Sequence, residues 1–244
     1  MKKYVVVVAG GSGTRMGAAL PKQFLLLRGK PVLWHTLMVF LAAYADLEIV
    51  LVLPAEHMEA GRAVVDALPM EAGHSPLDAI PASGRVRLVA GGATRFHSVR
   101  NGLELVNENA LIAVHDGVRC LVSVELVRRC FEQAERLGSA VPVVDCADSV
   151  RLVRLEGSEP IDRSQVKLVQ TPQTFRGGLL LRAYREITGV SFTDDATVVE
   201  ALGIAVHLIE GERTNIKITL PIDLVIAEQV LEARAADGAS GAGG

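Results

Sequence analysis

Residues 9–23 of this 244-residue chain concentrate groups suited to phosphate chemistry. The stretch reads Ala9-Gly10-Gly11-Ser12-Gly13-Thr14-Arg15-Met16-Gly17, then Pro21-Lys22-Gln23. Glycines that follow a buried strand let backbone N–H groups crowd around an anion and form a nest for phosphate. Arg15 adds a fork that can hold two phosphate oxygens, and Lys22 adds a compact point charge. Together they suit a reaction in which negative charge grows on a phosphoryl group and its leaving pyrophosphate. The spacing is not that of a dinucleotide fingerprint, because Gly11, Gly13 and Gly17 leave one residue too many, and no Gly-Lys-Ser/Thr of a P-loop follows.

Other candidates lie at strand ends. Val114-His115-Asp116-Gly117-Val118-Arg119 closes a buried strand, where ligands of open α/β sheets bind. Asp116 there can hold Mg²⁺ already carried by substrate phosphates; the plainer alternative is a turn that Asp116 caps. His115 reads as a structural hydrogen-bonding residue rather than a general base. Gly91-Gly92-Ala93-Thr94-Arg95 with Ser98 also follows a strand. Its glycines admit a flat base close to the backbone and Ser98 can reach the base's edge, although a loop with Thr94 as helix cap explains it equally. Asp162-Arg163 and Thr171-Pro172-Gln173 bracket an extended stretch, Phe192-Thr193-Asp194-Asp195 reads equally as a helix start, and Asn215-Ile216-Lys217 sets a lysine in a late strand. No Ser–His–Asp order with a nucleophile elbow and no HExxH occurs. The three cysteines have no metal spacing.

The elements that must position these residues alternate. Strands are expected over 4–9, 48–53, 85–90, 111–114 and 140–144. Helices are expected from Pro31 through Leu41 and over 55–68, 95–107 and 124–137. This is the α/β order of a mostly parallel sheet with helices on both faces. The rhythm breaks over 145–170, where extended stretches at 149–155 and 165–170 surround a turn at 156–160. An isolated hairpin is marginal in water, so this β-arm is expected to pack on a second subunit. Residues 1–234 form one domain and 235–244 a disordered tail.

Lys plus Arg number 25 against 28 Asp plus Glu, a balance that argues against a nucleic-acid or membrane-surface partner. With 50% hydrophobic residues the chain is not globally disordered. No apolar run approaches the ~20 residues that span a bilayer, and no signal-peptide cleavage pattern follows Met1. Unpatterned cysteines suit the cytoplasm.

Taken in order, Gly11-x-Gly13-x-Arg15-Met16-Gly17, Pro21-Lys22-Gln23, Val114-His115-Asp116-x-x-Arg119, Thr171-Pro172-Gln173, Thr193-Asp194 and Asn215-Ile216-Lys217 resemble the 2-C-methyl-D-erythritol 4-phosphate cytidylyltransferase family over residues 4–226. The resemblance implies a Rossmann-like nucleotidyltransferase fold and a homodimer held partly by the arm. It also implies CTP and Mg²⁺ as co-substrate and metal, in the non-mevalonate route to isoprenoid precursors. By position, Gly11, Ser12, Gly13, Thr14, Arg15 and Lys22 resemble the CTP-phosphate site, and Ala9, Gly10, Gly92, Ala93 and Ser98 the cytosine-facing positions. Asp116 resembles the metal-associated, substrate-orienting acid. Arg119, Ser149, Arg163, Thr171, Thr193 and Lys217 resemble positions that hold methylerythritol phosphate, with Ser149 and Arg163 on the arm reaching the other subunit's site. Arg15, Lys22, Asp116, Arg163 and Lys217 are the expected catalytic set. The chain departs from the family at Gly10 (a second alanine elsewhere), Ala93 (often an acid), Cys120 (a proline) and Ser149 with Arg151 (Thr and Lys). The alternatives are a cytidylyltransferase for a pentitol phosphate such as ribitol 5-phosphate, and a catalytically silent nucleotide binder.

Overall fold

β-Branched side chains favour the extended chain, and the four valines at positions 5–8 form most of β1 (Lys2–Val8), the central strand of the sheet. The computed structural model describes residues 1–11, 20–69, 82–187 and 192–241. After β1 come a small ribbon of β2 (Leu26–Leu27) and β3 (Lys30–Pro31), then α1 (Val32–Ala43), β4 (Glu48–Leu53), α2 (Met58–Asp66), β5 (Val86–Ala90), α3 (Arg95–Leu103) and β6 (Ala110–Asp116). α4 (Val124–Leu137), β7 (Ser139–Asp145), β8 (Val150–Arg154), β9 (Gly157–Ile161), β10 (Lys167–Val169) and β11 (Gln173–Arg176) follow. The chain continues with α5 (Gly177–Glu186), α6 (Asp195–Glu200), β12 (Leu208–Glu210) and α7 (Pro221–Gly241).

The sheet runs β10-β7-β11-β6-β1-β4-β5, with β12 also pairing to β7. β5, β4, β1 and β6 are parallel, while β11 lies antiparallel between β6 and β7. Alternation along β1 sorts its side chains into two cores. Val5 and Val7 join the layer under α1, α2 and α4, and Tyr4 and Val6 join the layer under α3, α5 and α6. A third cluster of Leu27, Val32, Val118, Cys120, Leu121, Ile218 and Ala227 clamps the chain after β6 and the 216–218 segment against α7. Among the described residues no helix is long and apolar enough to cross a membrane.

From β1 the chain steps to β4 and β5 on one side and then crosses back to β6 on the other, so the switch point of the sheet lies between β1 and β6. Ligands of such sheets bind outside the carboxyl ends there. The register sets Val8 level with Asp116. Each exit loop is hooked to a neighbouring strand by its first N–H: Gly117 to Val8 O at 2.9 Å, Ala9 to Val52 O at 2.9 Å, and Gly91 to Leu53 O at 2.8 Å.

Several expectations shift. The arm's turn is the two residues Leu155 and Glu156, because Gly157, at φ 138°, already pairs with Arg154 and 157–161 is the second strand. Only Lys167–Val169 of the expected 165–170 stretch is a strand, since Asp162 caps a single 3₁₀ turn before it, accepting from Ser164 N at 3.0 Å. The late strand is Leu208–Glu210, and 215–217 is irregular. α7 runs through Gly241, so its backbone extends into the expected tail, and residues 242–244 lie outside the described residues. β11 was not visible in the residue pattern, because Gln173 and Thr174 are polar yet fully buried.

Candidate active site

The carboxyl ends of β1, β4, β5 and β6 surround a cleft of about 690 Å³. One wall is Ala9, Gly10 and Gly11. A Cβ added at Gly11 would sit 3.4 Å from Lys22 Cε and 3.9 Å from its Nζ, ordinary contact distances that place the lysine's end against this glycine. Lys22 starts a 3₁₀ turn, Lys22–Phe24, and is only 8% exposed. Gln23 ties that turn to β1, its Nε2 donating to Ala9 O at 2.9 Å.

The second wall is the loop after β5. Gly92 packs so closely on α3 that a Cβ would lie 2.4 Å from His97 Cβ. Thr94 caps α3 by accepting from His97 N. Ser98 lines the cleft, but its hydroxyl shapes the loop: it accepts from Gly92 N at 3.1 Å and donates to Thr94 O at 2.9 Å.

At the floor stands Asp116, ringed by three cations. Lys217 Nζ lies 3.0 Å and Arg119 Nε 3.3 Å from Oδ2, and Arg95 Nε lies 3.8 Å from Oδ1. Burial alone would raise the Asp116 carboxyl, but Lys217, Arg95 and Arg119 outweigh it and hold it well below the usual carboxylate range. Arg119 is fixed by its second donor, Nη1 to Asn215 O at 2.9 Å. Asn215, fully buried, donates to Thr171 O at 2.9 Å, so 215–217 acts as a strap that delivers Lys217. The backbone of Asp116 donates to Thr171 Oγ1 at 3.1 Å, and the same hydroxyl meets His115 Nδ1 at 3.0 Å. Burial pushes the His115 imidazole down to about 3 despite the neighbouring Asp116. It is neutral, enclosed and no base for the cleft.

The first residue of α3, Arg95, makes a fork to Asp195: Nη1 to Oδ1 at 3.0 Å and Nη2 to Oδ2 at 2.7 Å. Asp195 has no exposed side-chain surface and also accepts from Tyr184 Oη at 2.7 Å. Burial acts against the Arg95 charge, but Asp195 and Asp116 overcome it and raise its pKa further.

A glycine-lined wall, a buried lysine and a carboxylate set among cations suit a polyanion rather than a hydrolytic dyad. A family model described as 2-C-methyl-D-erythritol 4-phosphate cytidylyltransferase (IspD) matches residues 3–233. The chain belongs to this family. It is 48% identical over 232 residues to the family member of Bacteroides thetaiotaomicron, covering 95% of this chain and all of that one. It is 39% identical to the Bacillus velezensis member, covering 96% and 97%. The crystal structure of the Thermus thermophilus cytidylyltransferase superposes with a TM-score of 0.70 at 35% identity, covering 94% of this chain and 98% of that one.

Of the residues expected to act in this family's site, the structure brings Ala9, Gly10, Gly11, Lys22, Gly92, Ala93, Ser98, Asp116 and Lys217 to one cleft. Arg119 and Thr171 stand behind Asp116 instead of lining it, and Thr171 is only 4% exposed, its hydroxyl occupied by Asp116 N and His115. Thr193 is exposed beside Asp194, which is the residue that caps α6 by accepting from Thr197 N. Ser149 and Arg163 lie exposed on the arm and do not line the cleft of their own chain; Arg163 Nη1 donates to Ala147 O at 2.8 Å. Ser12, Gly13, Thr14 and Arg15 lie outside the described residues. The Arg95–Asp195 pair had no role in the sequence reading. Its signal was a cation in the first turn of a helix, where the macrodipole disfavours it unless an anion compensates.

A divalent metal fits one part of this floor. Asp116 Oδ1 has no hydrogen-bond donor among the described residues and lies in the cleft. Among the described residues no three His, Cys, Asp or Glu gather, so the donor set suits an ion that draws most of its ligands from phosphate and water.

Proposed function

We propose that this cleft transfers the cytidylyl group of CTP to 2-C-methyl-D-erythritol 4-phosphate, giving 4-diphosphocytidyl-2-C-methyl-D-erythritol and pyrophosphate. The observation that carries the reading is the Asp116 carboxylate held among Lys217, Arg119 and Arg95, in one cleft with Gly11 and the buried Lys22. An oxygen of the acceptor's phosphate monoester attacks the α-phosphorus of CTP. The bond to the bridging oxygen breaks, and pyrophosphate departs with the electron pair. A monoester with a second pKa near ~6 is largely dianionic at neutral pH, so no proton has to be removed, consistent with a buried, neutral His115. Catalysis then rests on positioning and charge stabilisation.

Gly10 and Gly11 receive the triphosphate, and Lys22 stabilises charge that grows on the α-phosphate and the leaving group. Arg15 belongs to the same role by family position. Lys217, 40% exposed yet tied to Asp116, faces the acceptor phosphate; Asp116 and Arg119 fix where its ammonium stands. Mg²⁺ would bind at Asp116 together with the substrate phosphates, and it would supply further neutralisation of their charge. Gly91, Gly92 and Ala93 offer the cytosine backbone rather than side-chain contacts.

The enzyme works as a homodimer through residues 145–170. Val153 and Leu155 are 78% and 107% exposed on the arm, apolar surface that suits a second copy. In that assembly Ser149 and Arg163 complete the other subunit's acceptor site. The three free thiols suit a reducing cytoplasm.

The deciding experiment measures pyrophosphate release from CTP and Mg²⁺ with methylerythritol phosphate, with ribitol 5-phosphate and with no acceptor. Release with methylerythritol phosphate alone is expected. Release with the pentitol alone would keep the mechanism and change the acceptor, and none with either despite CTP binding would leave a silent nucleotide binder. Mixing Lys22→Ala with Arg163→Ala protein tests the shared site: part of the activity should return in the heterodimer, and no recovery would place Arg163 elsewhere.

A further inference from the structure

We infer that Arg95 is a positioning residue for the transfer, holding the nucleotide-side loop after β5 and the acceptor-side loop before α6 in register about Asp116. The inference rests on the cytidylyl-transfer reading and extends it to a residue for which that reading has no separate task.

The supporting geometry is a closed circuit. From Asp116 N a hydrogen bond runs to Thr171 Oγ1. Two residues on, Gln173 Oε1 accepts from Asp195 N at 3.0 Å and Ala196 N at 2.7 Å, while its Nε2 donates to Asp194 Oδ2 at 3.0 Å. Asp195 takes the fork of Arg95, and Arg95 Nε returns to Asp116 Oδ1 at 3.8 Å. Arg95 directly follows Gly91-Gly92-Ala93-Thr94, and Asp195 follows Thr193 by two. One guanidinium thus touches the anchor of each substrate's loop and the carboxylate between them.

The circuit is not what plain stability would select. A buried ion pair is often no more stabilising than apolar packing of the same volume, and a cation at a helix N-terminus opposes the macrodipole. What the planar fork supplies is geometry: two parallel donors fix the orientation of Asp195, and the remaining Nε is then aimed at Asp116. Lysine has the charge but not the fork. Tyr184, on α5 behind the cleft, holds Asp195 from the other side through a single hydroxyl and lines no part of the cleft.

The test compares Arg95→Lys, Tyr184→Phe and the double variant by steady-state kinetics, with active sites counted by CTP binding. Misplacing reacting groups by about 1 Å can cost ~10²-fold. Arg95→Lys is therefore expected to lower kcat at least about tenfold with KM for CTP within about threefold. Tyr184→Phe should lower kcat in the same direction by less, and the double variant should be no worse than Arg95→Lys, as members of one unit are non-additive. Unchanged kcat per active site in both single variants, with only a lower Tm, overturns the inference; so do losses that multiply in the double variant. If Arg95→Lys does not fold, Tyr184→Phe decides by the same criterion. Wild-type protein that releases no pyrophosphate overturns the cytidylyl-transfer reading and this role together, whereas active wild type with unaffected variants overturns this role alone.

Discussion

Two ion pairs of similar length show how differently the cleft and the arm are built. Lys217 meets Asp116 at 3.0 Å on the cleft floor, and Arg154 meets Glu159 at 2.7 Å on the β8–β9 arm. The arm pair is 63% and 54% exposed, so water and salt screen it, and pairs of this kind are worth ~0–1 kcal/mol. Asp116 is 12% exposed and shares its charge among three cations. Removing it would strand them. The shorter distance belongs to the weaker interaction; surroundings, not length, set the value of a charge.

The largest effect should come from Asp116→Asn. Turnover is expected to fall by about 100-fold or more, and stability in urea by about 3 kcal/mol, because three cations lose their shared anion. A variant of wild-type stability would show the floor to be well solvated. Lys22→Ala should lower kcat by ~10²-fold with CTP affinity changed far less. Equal losses in both would mean uniform binding instead of transition-state stabilisation.

Acid should expose the cleft as the weaker half of the fold. His115 is held neutral, its pKa depressed to about 3, so its contribution is whole above ~6.5 and is lost as pH falls through that window toward 3. Asp116, also depressed, contributes fully above ~4 and less below it. Between pH 7 and 5 in EDTA, wild-type stability should drop with a slope on the order of 1 kcal/mol per pH unit. His115→Gln should flatten that slope, and an unchanged slope would assign it to other groups.

On the arm, Leu155→Ser should leave the protomer's unfolding within ~0.5 kcal/mol while shifting the mass measured by light scattering from dimer to monomer. A dimer that persists would put the interface elsewhere. The smallest change is expected for Arg154→Ala, at most ~0.5 kcal/mol in urea; a larger one would mean the arm's pair is shielded from water.

The same contrast governs what could be read from the residues. β1, β4 and α4 were legible because their apolar period matches the face they bury, and α4 also carries both its stops, Ser123 accepting from Leu126 N and Gly138 at φ 94°. Lys22, Gly92 and Asp116 were legible because loops after parallel strands meet at one end of a sheet. β11 was hidden because its buried positions are Gln173 and Thr174, whose partners lie far along the chain. The Arg95–Asp195 pair spans 100 positions, and the cation in the first turn of α3 marks only one end of that meeting. Thr171 was named by its resemblance to a position that holds the acceptor, and its hydroxyl accepts from Asp116 N and meets His115, a contact that residue type alone does not announce.

The three hooks at the strand ends, Gly117 to Val8, Ala9 to Val52 and Gly91 to Leu53, make the ledge beneath the cleft out of peptide groups. Replacing a side chain on the rim leaves such a ledge where it is, and for this reason the chain can carry Gly10 and Ala93 without rebuilding it. An inhibitor anchored on those peptide groups would therefore meet a surface on which point mutation offers little escape, since altering it means re-routing the backbone of three strands at once.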